Sequence, residues 1–260
     1  MLSLMLNLAL LVLALFLVIL ACLETGWRIR ARHLANETPS SDAGLSALSG
    51  AVVALMGLLI AFTFTGAASR FEARRALITQ ETNDIGTAYL RIDMLPVDTQ
   101  PALRQDFRDY LDARLEIYAN LASNREAARA ANARSLALQQ KIWSEAVAAT
   151  AKQSSAAVTS MVIGALNSMF DITTARLVAL ETHPPVAIYL ALAALILASS
   201  TLAGYAMAKS GLRNWTHMLI YAATISFAVY LILDLDYPRL GLVRIDSADH
   251  ILVDLRNNMK

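Results

Sequence analysis

The chain has 260 residues, 57% of them hydrophobic, with a mean hydropathy of +0.48, too apolar for an ordinary water-soluble domain. Its 22 basic and 21 acidic residues leave a formal net charge of +1, so no global field draws an acidic substrate or nucleic acid, and no nucleic-acid partner is expected. The one cysteine, Cys22, has no intrachain disulfide partner, and His33, His183, His217 and His250 are too far apart in sequence to build a helical metal site.

Four uncharged apolar segments match or approach the roughly 20 helical residues that cross a bilayer core. They are residues 2 to 23, 45 to 68, 186 to 208 and 216 to 233. The first ends in LVILAC, the shape of a lipoprotein cleavage site before Cys22. No basic residue precedes it, the run is longer than a signal core, and Leu20 is atypical beside such a cysteine, so it reads as a first transmembrane helix. Trp27 after the first span and Trp215 before the fourth sit where amphipathic rings favour headgroups, and they frame one membrane face.

Span two carries Gly50, Ala54, Gly57, Ala61, Thr65 and Ala68 at steps of three and four, a stripe of small residues that lets helix backbones approach closely. Phe62, Thr63, Phe64 and Thr65 lie around the helix, so at least one aromatic and one hydroxyl point away from that stripe. Gly57 and these four residues are the candidate pore or helix-packing positions, although a threonine in a span is commonly satisfied by its own i−4 carbonyl. The same helix runs on into Arg70, Glu72, Arg74 and Arg75, charges that require water, headgroups or counter-charge.

Residues 69 to 185 hold 13 of the 22 Lys and Arg and 13 of the 21 Asp and Glu, which marks a water-facing insert between spans two and three. No period-two strand pattern persists, and apolar positions recur with helical period in four pieces. The first continues span two to about residue 95, where Pro96 and Pro101 end it. Asp98 is the expected N-cap of the second, with Leu103, Phe107, Tyr110, Arg114, Tyr118 and Leu121 along one face. Asn124 is the expected cap of the third, which is alanine-rich with Leu136, Ile142, Trp143 and Val147 toward a core. The fourth runs from about Val158 to Glu181 through Val162, Leu166, Met169, Ile172, Thr173 and Leu180. Arg125, Arg129 and Arg134, with Glu126 among them, read as a solvated face rather than a lipid contact. Pro184 and Pro185 fit the first turn of the third span.

LILDLDYPRLG closes span four with Asp234 and Asp236. Spans two and four run the same way if all four helices cross, so these aspartates emerge on the face where the arginines do. The expected membrane-border network is therefore Arg70, Glu72, Arg74, Arg75, Asp234 and Asp236, with Arg70 paired to Asp234 and the insert pinned to the bundle. Asn83 and Asp84 lie a little over two turns beyond Arg75, where they either join the same network or serve a capping or surface role. Asp246 or Ser247 is the expected cap of a short C-terminal helix with Ile251, Leu252 and Leu255 along one face, lying against the insert. The fold class is an all-α integral membrane protein of four transmembrane helices with a helical insert. Its expected domains are residues 1–68, the insert 69–185 whose first helix continues span two, residues 186–233, and a C-terminal tail 234–260.

In this order, GLLIAFTFTGAASRFEARR, ETNDIGTAYLRIDMLP, LNSMFDITTARL and LILDLDYPRLGLVRID followed by LVDLR resemble the bacterial bestrophin-like domain family, from about residue 45 to the C-terminus. The resemblance implies four spans, an insert between the second and third, and a symmetric ring around a pore. It carries over no pore or calcium-site residue, since no motif of the true bestrophins matches residue by residue. It also implies a bacterial inner-membrane protein with insert and termini in the cytoplasm. Basic residues beside the membrane nearly balance, with Arg28, Arg30, Arg32, Lys209 and Arg213 on one face against Arg70, Arg74, Arg75, Arg176, Arg239 and Arg244 on the other. The trio after span one, taken alone, favours an external insert, and the resemblance tips the expectation to a cytoplasmic one.

The function expected is a homo-oligomeric ion channel, with span two along the axis, its aromatics as a constriction and Arg70, Arg74 or Arg75 near a mouth that favours anions. Its partners are then the lipid bilayer, further copies of the chain and inorganic ions. The alternative is a non-conducting membrane scaffold or sensor whose insert binds a partner, with the small-residue stripe facing spans of its own chain. No phosphate loop, nucleophile elbow or zinc-binding helix is present. Glu81 and Asp84 share a helix turn and read as solvated carboxylates rather than an acid–base pair, so neither an enzyme nor a cofactor is expected.

Overall fold

A computed structural model of the chain describes residues 2–33, 41–121, 123–152, 155–208, 213–237, 242–243 and 245–259, with no strand among them. Lys209, Arg239 and Arg244 lie outside the described residues. In chain order the helices are α1 Leu2–His33, α2 Ser41–Arg91, a 3-10 turn Ile92–Met94, α3 Gln100–Asn120, α4 Arg125–Ala151, α5 Ala156–Glu181, α6 Val186–Met207, α7 Trp215–Asp236 and α8 Asp246–Asn258. The stretches long and apolar enough to cross a membrane fall in α1, α2, the segment Ala156–Met207 and α7.

At 51 residues and 1.5 Å rise each, α2 spans about 75 Å, more than twice a hydrocarbon core. No proline or glycine pair interrupts it where apolar sequence gives way to charge, so the change of solvent happens in mid-helix. The chain divides into two compact units. A span unit holds Leu2–Arg70 and His183–Leu242, and an insert unit holds Phe71–Thr182 and Val243–Lys260.

In the span unit, Ile19, Leu23, Met56, Ile196, Met218 and Ala222 form the core. Gly26 and Gly204 fix the approach of α1 to α6. A Cβ at Gly26 would strike the Thr201 carbonyl oxygen, and one at Gly204 the Leu23 carbonyl oxygen. Contact between backbones at this range supplies the packing that replaces hydrophobic drive in lipid.

The insert unit packs Ile85, Leu103, Phe107, Tyr110, Ile142 and Met169 into one core, with the Tyr89 ring edge-on to Phe107 at 5.9 Å. The apolar face expected on α3 is buried except for half-buried Leu121. Its start differs from expectation. Thr99, not Asp98, precedes the helix and makes no side-chain cap bond, because its hydroxyl donates to the Pro96 carbonyl at 2.7 Å. Pro101 in the first turn needs no donor partner, which reduces the demand for a cap. Asp98 instead accepts from Lys152 at 3.1 Å.

Asn124 caps α4 as expected, accepting from the Ala127 amide at 3.1 Å, and Ser155 does the same for α5. Of the four residues expected toward the core on α4, only Ile142 is buried. Ala128, Ala131, Ile142, Ala146 and Ala149 face the core, while Leu136, Trp143 and Val147 are exposed on a second stripe about a quarter turn away. Alanines let α4 pack closely on its neighbours, and the larger side chains are left outside. The short C-terminal helix α8 begins at Asp246 with Ile245, rather than Asp246 or Ser247, in the cap position and no side-chain cap bond. Leu252 is buried, and Arg256 donates to both Asp112 oxygens at 2.8 and 2.9 Å.

Candidate functional site

The membrane stretch of α2 buries Met56, Thr63 and Ala67, which recur at steps of seven and four and so share one face. Roughly opposite lies the small-residue stripe. Gly50, Ala54, Gly57, Ala61 and Thr65 are all exposed, and a Cβ added at Gly57 would meet nothing within 4 Å. Phe62 and Phe64, 66% and 41% exposed, flank the stripe on either side. Both threonine hydroxyls are satisfied within the helix, Thr63 donating to the Leu59 carbonyl at 2.7 Å and Thr65 to Ala61 at 2.9 Å. Of the five candidate positions, only Thr63 packs inside the chain. Among the described residues, the chain's own spans leave this packing stripe uncovered.

The six border charges resolve into separate arrangements. Arg70 Nε donates to Asp236 Oδ1 at 2.8 Å, and Tyr189 donates its hydroxyl proton to the other oxygen of Asp236. The partner is thus Asp236 and not Asp234. Two residues apart on a helix point about 200° apart, so only one of the two carboxylates can face α2, and Asp234 turns instead to accept from the Leu242 amide at 3.0 Å. His183 Nδ1 stands 4.0 Å from Asp236, its ring stacked on Tyr237 at 4.6 Å.

Arg74, expected to meet an aspartate, is buried in the insert unit. Its Nε donates to the Ala179 carbonyl at 2.9 Å and its Nη2 to Thr182 at 3.0 Å, covering carbonyls that the end of α5 leaves without helical partners. Arg75 and Glu72 form an exposed i,i+3 pair at 3.2 Å, which contributes little. Asn83 is exposed, and Asp84 accepts from Gln80 at 2.9 Å.

A buried charge cluster in the insert unit was not expected. Glu81 is fully buried and accepts from Arg114 Nε at 2.7 Å, from the Tyr118 hydroxyl at 2.9 Å and from Arg176 Nη1. Arg176 lies 3.9 Å from the Tyr118 ring centroid and 3.6 Å from Asp249. Burial alone would push the Glu81 carboxyl up, but the Arg114 and Arg176 guanidiniums, with the bonds from Arg176 and Tyr118, outweigh it and hold the carboxyl below the usual carboxylate range. Burial and then the Glu81 charge push the Tyr118 hydroxyl well up, so it stays protonated and donates. Glu81 is neither solvated nor poised for proton transfer, since all its neighbours stabilise the ionised form.

Residues 9–249 match the Bestrophin-like domain family. The chain belongs to the bestrophin-like family. No curated protein matches it. Among solved structures, this bestrophin-like chain is similar to a bacterial bestrophin homologue from Klebsiella pneumoniae, crystallised as a mutant, at 13% identity and a TM-score of 0.66, over 95% of this chain and 99% of that one. At such identity the likeness is one of fold. The all-α membrane fold read from the apolar runs is the bestrophin-like one, and bestrophins are channels rather than enzymes. The enzyme reading of Glu81 and Asp84 thus fails on family as well as geometry. Arg114 and Arg176 did carry a signal. Each occupies a position in line with a helix's apolar stripe, where an arginine requires a buried carboxylate.

Proposed function

We propose that the bestrophin-like chain is a homo-oligomeric ion channel in which copies form a ring with span two along the axis. The observation that carries this reading is the uncovered face of α2. A stripe shaped for close helix packing, flanked by two exposed phenylalanines, has no partner among the described residues of its own chain and fits a neighbouring copy or a pore axis. The exposed Leu136, Trp143 and Val147 offer the insert unit a second apolar contact between copies. Phe62 and Phe64 then form a constriction that gates by dewetting, and Arg75, the most exposed of the three border arginines, biases the mouth toward anions. A scaffold would spend the stripe on its own spans, and in this chain it is unspent.

Purified protein reconstituted in liposomes is expected to conduct, and replacing both Phe62 and Phe64 by alanine to raise conductance several-fold. Gly57→Leu should disrupt the ring without loss of helix content. A closed ring that passes no ion under any condition, or a stable monomer in mild detergent, would return the scaffold reading.

The same reading places the chain in a bacterial inner membrane with the insert in the cytoplasm, supported by the family likeness. Ser123→Cys, at an exposed position between α3 and α4, in a Cys22→Ser background should resist an impermeant maleimide in intact cells and react after lysis. Labelling of intact cells would place the insert outside.

A further inference from the structure

Within the insert unit, α3, α4 and α5 leave a half-open cavity of about 710 Å3, a volume typical of small-molecule sites. Arg114, Tyr118 and Arg176 line its floor. Their charge is already answered by Glu81, with Asp249 at 3.6 Å from Arg176. The rim is different. Arg125 and Arg129 line it one turn apart on α4, both exposed, and neither forms an ion pair among the described residues, whereas Arg134 further along has Glu116 at 2.7 Å. Glu181 is the one acid among the lining residues. Two guanidiniums at i,i+4 repel one another, and a shared anion removes that repulsion. Leu121, Leu177 and Leu180 supply an apolar wall, and Asn132 and Thr174 supply neutral polar groups.

We infer that this cavity binds an organic anion, with a carboxylate or phosphate head between Arg125 and Arg129 and an aliphatic body against Leu121, Leu177 and Leu180. The guanidinium fork matches the oxygens of such a head in a bidentate way. The apolar wall and the volume select against a bare inorganic ion, and the two arginines select against a cation. The head belongs either to a soluble metabolite or to a membrane lipid, which share this chemistry. The site lies inside one unit and does not depend on ion conduction.

The test uses the full chain in neutral detergent, with octyl phosphate as probe below its micelle concentration. Saturable binding is expected by calorimetry, and Asn132→Cys in a Cys22→Ser background should be protected from maleimide by the probe. Arg125→Glu with Arg129→Glu should weaken binding at least tenfold, and Thr174→Trp, which fills the cavity from an exposed position, should also weaken it. Arg134→Glu should not. Equal affinity in the double variant, equal affinity for inorganic phosphate or 1-octanol, or no saturable binding would overturn the site. So would an Asn132→Cys closed to maleimide without ligand, which would make the groove a contact between copies. In nanodiscs, protection by phosphatidylglycerol but not by phosphatidylcholine assigns the head to lipid. Protection by octyl phosphate alone assigns it to a soluble anion.

Discussion

Replacing Glu81 by glutamine is expected to destabilise the insert unit by about 3–5 kcal/mol, the usual penalty for removing one side of a buried ion cluster. The carboxylate is fully buried and carries bonds from Arg114, Arg176 and Tyr118. Glutamine keeps the shape and one acceptor oxygen but leaves two guanidiniums, both nearly inaccessible to water, facing a neutral amide. Arg176 retains Asp249 nearby, and Arg114 has no other carboxylate bond among the described residues, so most of the penalty falls there. The apparent melting midpoint in detergent should drop by about 10 °C, measured by circular dichroism at 222 nm. A midpoint within a degree of the parent would show that the cluster contributes nothing. Replacing Glu81 and Arg114 together by methionine should recover part of the loss, since apolar pairs of similar volume avoid desolvation altogether.

The same residue sets an acid limit. Its carboxyl is held below the usual carboxylate range in the folded chain, so its contribution is complete above that range. It is lost as pH falls from about 4.5, the ordinary value, through the depressed folded value. The parent should lose stability across that acid window, and the glutamine variant, having no group to protonate there, should lose less.

Much of the architecture is legible in the sequence because a bilayer core demands long uncharged runs, and proline and asparagine mark helix ends by their own chemistry. Asn124 is an example, as is the stop at Pro96. What is not legible depends on how a helix is rotated about its axis. On α4 an alanine stripe and a Leu136, Trp143 and Val147 stripe both carry helical period, and only the neighbours decide which is buried. Asp234 and Asp236 differ in the same way. Glu81 meets partners 33 and 95 residues away in sequence, beyond any local pattern. Gly26 and Gly204 are single glycines in long apolar helices, and nothing local separates them from Gly50 or Gly57, where a side chain would have free space. For function the consequence is specific. The stripe on α2 was legible as a packing surface, but its lack of a partner among the described residues required the fold.

The second large effect is expected at Asp236, which is fully buried and accepts from both Arg70 and Tyr189. Asp236→Ala removes the counter-charge of Arg70 and strands the Tyr189 hydroxyl. Because the Arg70 side chain remains 24% exposed, water takes up part of the freed charge, and the loss should be about 2–3 kcal/mol rather than the full buried-pair penalty. Asp234→Ala removes the acceptor of the Leu242 amide and of the Tyr230 hydroxyl but leaves the Arg70 pair intact, so only Asp236→Ala strands a charge and the two alanine variants should separate by melting midpoint. Charge exchange gives the sharper comparison. Arg70→Asp combined with Asp236→Arg should recover more folded, assembled protein by size-exclusion chromatography than either single variant. Arg70→Asp combined with Asp234→Arg should recover nothing, because that arginine points about 200° away around α7. Rescue by the second combination would mean that α7 is rotated relative to the arrangement described. That rotation would also move Phe227 and Tyr230, stacked at 6.4 Å on the same helix, to a different face. Rescue by neither would mean that Asp236 serves Tyr189 rather than Arg70, leaving the guanidinium free to act at the mouth of the proposed pore.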